Sequence, residues 1–371
     1  MSEPLWRKAA AAHKRAMPWQ RLIGNGMDHA DATALYTVVD TGTDWADAAA
    51  ALGADNTRRA RTALAAGHRH SALGWFRRAS ACYRFGQVPL PDSDPRKRAM
   101  YRQLIDTYGA AGALADPPLE HVALPHRGGT LTAWLHRPAG VRRPPTVLLF
   151  GGFDGWREEY DTAARELVRR GLAVLLLDGP GQGETRLFGG LHMRPDDPDD
   201  VVAALGRFVT YAREHPLLGD RVGVWGNSFG GYLAARTAAR DPRVDAVCVT
   251  GGTDRPAELL DRYPRFASKV QLLYGTREPA PAVAALRRLV LSPGLLSQLA
   301  CPLLVLHGTP DRVFLVDSAR RLHDHAGSAD RTLVEWPDGD HCLYNHTYEK
   351  HTLAGDWFAD RLGIPKNGTA A

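Results

Sequence analysis

The sequence predicts an α/β protein: a mostly parallel, doubly wound sheet of eight strands, preceded by a helical region. Three observations carry this. After about Pro118, short apolar runs alternate with helix-compatible stretches to the end of the chain. Before about Ala115, apolar residues recur only at helical spacing. Most chemically distinctive residues fall in loops at the carboxyl ends of the apolar runs, where sheets of this class bind ligands.

The elements follow in order. Asp44 is an N-cap candidate before Trp45-Ala46-Asp47-Ala48. Asn56 to Cys82 reads as one long helix, with Ala60, Leu64, Leu73, Phe76 and Ala79 at helical spacing. Asp94-Pro95 opens another helix through Met100, Leu104 and Tyr108, a cap followed by proline at the first helical position. The pattern changes at Pro117-Pro118. Strands at 119–124 and 130–137 flank Arg127-Gly128-Gly129, a hairpin signal. Six more apolar runs follow at 145–150, 172–177, 221–225, 244–249, 302–307 and 331–336. Residues 254–297 exceed what one crossover helix requires and are expected to add helices near the site. The expected organisation is a helical cap over 1–115, a catalytic domain over 116–365 and a disordered tail over 366–371.

Composition narrows the function classes. A chain of 371 residues holds one large domain and a smaller one. No apolar run reaches membrane-spanning length, and the N-terminus lacks a signal-peptide core, so a cytoplasmic protein with no membrane partner is expected. Cys82, Cys248, Cys301 and Cys342 are dispersed and read as reduced thiols, with packing the expected role of Cys342. Net charge is +5, but only six of the 46 basic residues are lysines and the arginines are scattered, so no nucleic-acid stripe is implied. No cluster has metal-ligand spacing, and neither a metal nor a cofactor is expected.

The chemistry centres on Gly226-Asn227-Ser228-Phe229-Gly230. Arg221 to Trp225 before it reads as a buried strand, and Gly231 to Ala239 after it as a helix. A serine on a sharp strand-to-helix turn projects its hydroxyl clear of the sheet, and the flanking glycines permit the close approach. An acid and a histidine should follow in that order. Asp311 lies just beyond the run 302–307, and His341 just beyond 331–336. The histidine takes the serine proton, and the acid fixes the imidazole tautomer. Asp338 and Asp340 are rival acids, too close in sequence to His341 to reach its far nitrogen easily. The backbone N–H groups of Phe229 and of Phe153, in Gly151-Gly152-Phe153-Asp154-Gly155, are the expected oxyanion donors. That glycine loop lacks the Lys-Ser/Thr ending of a nucleotide cradle. Asp178-Gly179-Pro180-Gly181-Gln182-Gly183 reads as a tight structural loop near the pocket.

Together these motifs, with Glu158-Glu159, Asp338-Gly339-Asp340-His341-Cys342 and the stretch Ala63 to Ala72, resemble the α/β-hydrolase superfamily. Within it, they are most similar to the group of 2,6-dihydroxypseudooxynicotine hydrolase and fermentation-respiration-switch-type esterases. The resemblance implies a Ser228–His341–Asp311 triad, Phe153 and Phe229 as oxyanion donors, Ala63 to Ala72 as the family's cap helix, and a homodimer. It also implies cleavage of esters, or of a carbon–carbon bond beside an aryl ketone. The expected function is a serine hydrolase of a small aromatic or polyketide-like ketone or ester. The alternatives are a non-hydrolytic cyclase or acyl-transfer enzyme of natural-product assembly, and a ligand-binding protein on a hydrolase fold. Asp254, directly after the strand 244–249, and the aromatic residues Trp75 and Tyr83 are the expected substrate contacts.

Overall fold

The computed structural model describes residues 5–365, so the tail expected over 366–371 lies outside the described residues. The chain divides into two compact units, 1–120 and 121–371.

Among its described residues the first unit is helical: α1 (Leu5–Ala16), α2 (Trp19–Gly24), α3 (His29–Val39), α4 (Trp45–Ala65), α5 (Arg69–Gln87) and α6 (Pro95–Ala113). The caps follow the sequence. Asp44 accepts hydrogen bonds from the Ala46 and Asp47 amides, and Asp94 accepts one from Arg96 with Pro95 in the first turn. The single long helix expected over Asn56–Cys82 is instead two helices. They break at 66–68, where Gly67 has φ +78° and no side chain to strain. The stretch Ala63 to Ala72 therefore spans a helical hairpin turn rather than one helix. The core of this unit packs Met17, Leu22, Leu35, Trp45, Ala49 and Phe85, and the buried Trp45 indole donates to the Phe85 carbonyl at 3.0 Å.

The second unit is built on β1 (Glu120–His126), β2 (Gly129–His136), β3 (Thr146–Phe150), β4 (Ala173–Asp178), β5 (Val222–Asn227), β6 (Ala246–Thr250), β7 (Leu303–Gly308) and β8 (Arg331–Trp336). The sheet order is β1-β2-β4-β3-β5-β6-β7-β8. Strand β2 runs antiparallel to β4, and the pairs from β4 through β8 are parallel. Strands β3 to β7 are buried along their whole length, which is why they read as unbroken apolar runs rather than alternating ones.

Helices α7 (Asp161–Arg169), α8 (Gly183–Leu187), α9 (Asp200–Glu214), α10 (Phe229–Arg240), α15 (Val316–His325) and α16 (Thr347–Arg361) accompany the sheet. The segment 254–297 supplies α11 (Glu258–Arg262), α12 (Ala267–Tyr274), α13 (Pro279–Arg287) and α14 (Pro293–Leu296). Leu148, Phe150, Leu175, Val224, Phe229 and Val249 are among the residues that fill the core. Burying each such side chain contributes about 1.5–3 kcal/mol. From β3 the chain steps to β4 on one side, then returns to place β5 on the other. That reversal opens a crevice at the carboxyl ends of β3 and β5, the usual position for a ligand in an open α/β sheet. No described helix is long and apolar enough to cross a membrane.

Candidate active site

Ser228 sits between the last residue of β5 and the first of α10 with φ 59° and ψ −128°. A non-glycine residue in such a conformation costs on the order of 1–3 kcal/mol and persists only when its surroundings fix it. The Ser228 amide donates to the Thr250 carbonyl at 2.9 Å, and the Ser228 carbonyl accepts from Gly231 at 2.8 Å. The glycines are required by contact. A Cβ on Gly226 would land on the Gly230 carbonyl, and one on Gly230 would stand 2.5 Å from the Gly151 carbonyl oxygen.

Beyond β7, Asp311 is buried. Its Oδ1 accepts from the Val313 amide at 2.7 Å and the Phe314 amide at 3.3 Å. Its Oδ2 accepts from His341 Nδ1 at 2.8 Å. Burial pushes this carboxyl upward, but His341, His307 and the Val313 amide outweigh it and hold the group below the usual carboxylate value. His307 is fully buried. Its Nε2 donates to the Phe314 carbonyl at 2.9 Å and lies 3.6 Å from Asp311 Oδ2.

His341 follows β8 and completes the row. With Nδ1 committed to Asp311, its Nε2 lies 2.9 Å from Ser228 Oγ. Burial depresses the imidazole, yet the adjacent Asp311 charge prevails and raises its pKa well above the ordinary 6.5. The next two residues, Cys342 and Leu343, have φ of 58° and 56°. Buried Lys350 holds this turn by donating to the Cys342 carbonyl at 2.8 Å. The rival acids are engaged elsewhere: Asp340 caps the turn through the Tyr344 and Asn345 amides, and exposed Asp338 pairs with His346. Cys342 is buried, its Sγ 3.6 Å from His341 Nε2.

The loop after β3 closes on the elbow. A Cβ on Gly152 would meet the Phe229 nitrogen at 2.7 Å and the Ser228 and Phe229 Cβ atoms at 3.1 Å. The Phe229 amide opens α10, where N–H groups have no intrahelical acceptor. The Phe153 ring stacks on Phe229 at 4.4 Å, 9° from parallel, and meets Phe266 edge-on at 6.3 Å. Lys269 of α12 pairs with Asp154 in the same loop. The segment 254–297 is thus fastened beside the loop.

The expected substrate contacts fare differently. Asp254 is buried and held by Arg321 of α15 through two hydrogen bonds, at 2.8 and 2.9 Å. Its carboxylate anchors α15 from its place after β6. Trp75, in the helical unit, lies between the guanidinium groups of Arg59 and Arg78 at 5.0 and 4.9 Å. Tyr83 is buried against Gly53, where a Cβ would strike its ring. Both have packing partners within their own unit. Sequence reasoning missed His307, Lys350 and Gln182, whose partners lie across loops rather than within one motif.

Comparison with known proteins gives the same frame. The family described as "Serine aminopeptidase, S33" matches residues 143–285. The chain is 29% identical over 356 residues to a 2,6-dihydropseudooxynicotine hydrolase of Paenarthrobacter nicotinovorans, covering 93% of this chain and 91% of the relative. It is 30% identical over 292 residues to the 20-hydroxy-prefusarin hydrolase FUS2 of Gibberella moniliformis, covering 66% and 68%. The crystal structure of 2,6-dihydroxy-pseudo-oxynicotine hydrolase superimposes with a TM-score of 0.81 at 26% identity, covering 95% of this chain and 98% of that one. The chain belongs to the α/β-hydrolase family and is an enzyme of that fold.

Proposed function

We propose that the protein is a serine hydrolase of a compact aromatic or polyketide-like ketone or ester, with Ser228 as nucleophile, His341 as general base and acid, and Asp311 as its orienting partner. The observation that carries this is the unbroken row Asp311–His341–Ser228, at 2.8 and 2.9 Å, ending on a strained elbow against the Gly152 loop.

His341 Nε2 takes the Ser228 proton as Oγ attacks the substrate carbonyl. The oxyanion formed is held by the Phe229 and Phe153 amides, each such donor contributing about 3–4 kcal/mol to barrier lowering. The imidazolium then protonates the leaving group. For an ester this is an alkoxide oxygen. For a carbon–carbon bond it is a carbanion, which the substrate must delocalise into an acylated phenol ring or a 1,3-diketone. Water, deprotonated in turn by His341, releases the acyl group.

Two features support the substrate class. The rings of Phe153 and Phe266 beside the elbow, both only partly buried, suit a planar ring. The relatives whose names state a substrate are hydrolases of 2,6-dihydropseudooxynicotine and 20-hydroxy-prefusarin.

The test is fluorophosphonate labelling of the whole protein with mass spectrometry, beside Ser228→Ala. Wild type should label at Ser228. The variant should stay folded, fail to label, and lose about a millionfold in kcat. A variant retaining a tenth of the wild-type rate refutes the nucleophile. A kcat/KM favouring a triglyceride over acylphenols and 1,3-diketones by about tenfold, equivalent to about 1.4 kcal/mol, refutes the substrate class.

A further inference from the structure

We infer that Gln182 is a positioning residue of the oxyanion hole: it fixes the peptide plane whose N–H is the Phe153 donor. This rests on the serine-hydrolase reading above and specifies how one of its two donors is held.

Gln182 lies in the loop after β4, some thirty residues from the donor it holds, and its side chain is buried. Nε2 donates to the Gly151 carbonyl at 2.7 Å and to the Gly152 carbonyl at 2.9 Å. Oε1 accepts from the Gly179 amide at 2.8 Å. Both amide hydrogens and the oxygen are therefore used. The arrangement also fixes which end is which, since a flipped amide would set its oxygen against two carbonyls and its NH2 against an N–H.

The consequence follows from the planarity of the peptide bond. The Gly152 C=O and the Phe153 N–H belong to one rigid trans unit and point in opposite directions. Holding the oxygen toward Gln182 aims the hydrogen away from it. The bond to Gly151 fixes the preceding plane, so two consecutive peptides of a glycine loop, which could otherwise rotate with little steric penalty, are held. Donation to the Gly152 oxygen also polarises the same peptide and makes its N–H a stronger donor.

The loop is shaped to deliver this side chain. Gly181 and Gly183 flank Gln182 with φ of +82° and +39°. A Cβ on Gly181 would strike the Leu273 backbone, and one on Gly183 would land on the Asp178 carboxylate. That carboxylate accepts from the Glu184 amide at 2.9 Å and the Arg157 amide at 3.3 Å, a second link between the β4 loop and the chain beyond β3.

The test compares wild type, Gln182→Met and Gln182→Glu. Methionine keeps the length and removes all three bonds. Glutamate keeps the acceptor for Gly179 but sets an anion against two carbonyls. The readouts are the second-order rate of fluorophosphonate labelling at Ser228, its pH dependence, and the affinity of a trifluoromethyl ketone. In labelling, the Ser228 oxygen–phosphorus bond forms, fluoride leaves and the serine proton passes to His341, while the phosphoryl oxygen occupies the oxyanion hole.

Both variants should label about a hundredfold more slowly, within the range for loss of one oxyanion donor. They should lose trifluoromethyl ketone affinity by a similar factor, with the pH limb set by His341 unmoved and KM for p-nitrophenyl acetate within threefold. Labelling within threefold of wild type by a folded Gln182→Met overturns the inference and leaves the hydrolase reading intact. A displaced pH limb also overturns it, because the residue then acts on the histidine or on the loop at large. If methionine prevents folding, glutamate carries the same comparison. Wild-type protein that never labels at Ser228 overturns the hydrolase reading itself, and this inference with it.

Discussion

Gly152→Ala is the most direct perturbation of the site, because its magnitude can be read from three distances. The added Cβ would stand 2.7 Å from the Phe229 nitrogen and 3.1 Å from the Ser228 and Phe229 Cβ atoms. Carbon contacts are comfortable at about 3.5 Å or more, so loop and elbow must separate by roughly 0.8 Å. Neither side yields freely. The elbow is tied through the Ser228 amide to Thr250, and the loop through Gln182 to the Gly151 and Gly152 carbonyls. Oxyanion bonds work over about 2.7–3.1 Å, so this separation removes one donor, at about 3–4 kcal/mol or a factor of about 10² to 10³ in rate. The stability cost of overpacking is smaller, about 1–3 kcal/mol. The assay is the fluorophosphonate labelling rate and the kcat for p-nitrophenyl acetate, with thermal unfolding alongside. A folded Gly152→Ala that labels within threefold of wild type would show that the loop does not supply the donor. Gly226→Ala makes a useful contrast: its Cβ would land on the Gly230 backbone, so stability should fall together with activity.

Other expected outcomes follow from the charged groups. Asp311→Asn should lower kcat by about 10⁴-fold, whereas Asp340→Asn keeps a capping oxygen for the Tyr344 and Asn345 amides and should leave most activity and stability; the reverse pattern in a paired kinetic assay would move the acid to position 340. The acid limb of kcat/KM should lie above pH 6.5, since Asp311 raises His341 and only the neutral imidazole accepts the serine proton. In Asp311→Asn the residual rate should show that limb displaced to lower pH, and an unmoved limb would separate the two residues. His351 is buried edge-on to Trp225 at 6.0 Å, its pKa held well below 6.5 by burial, with Lys350 and Arg165 adding to the effect. Its neutral burial stabilises fully above pH 6.5, and that stability is lost as pH falls through the depressed value. Relative to His351→Phe, wild type should lose up to about 1.4 kcal/mol per pH unit below 6.5; parallel denaturant curves at pH 7.5 and 5.5 would discount His351.

Much of this was legible because each feature depends on neighbours in the chain. Fully buried parallel strands leave continuous apolar runs, so the runs at 145–150, 172–177 and 331–336 match β3, β4 and β8 to within a residue at each end. The elbow is legible because a close approach demands glycine at 226 and 230. The helix break at Gly67 was not legible, since Ala65 and Ala66 before it and the unbroken spacing through Phe76 favour continuation. The Asp254 pairing was not legible because its partner Arg321 comes from a helix 67 residues away. Gln182 was hidden in a loop that looks merely structural, and only the fold brings its amide to the Gly151 and Gly152 carbonyls.

Among the described residues, five non-glycine positions have positive φ: Arg127, Arg143, Ser228, Cys342 and Leu343. Three of the five are Ser228 and the two residues after His341. Such strain persists only where surrounding structure over-determines it, and here the restraints can be named. The Thr250 carbonyl accepts the Ser228 amide, and buried Lys350 donates to the Cys342 carbonyl. Asp340 caps the turn from its other end. Ser228 and His341 are therefore each held by groups outside the row, while Asp311 is held by its own loop amides. These restraints hold the row at its 2.8 and 2.9 Å spacings, the fixed geometry that the proposed chemistry would require.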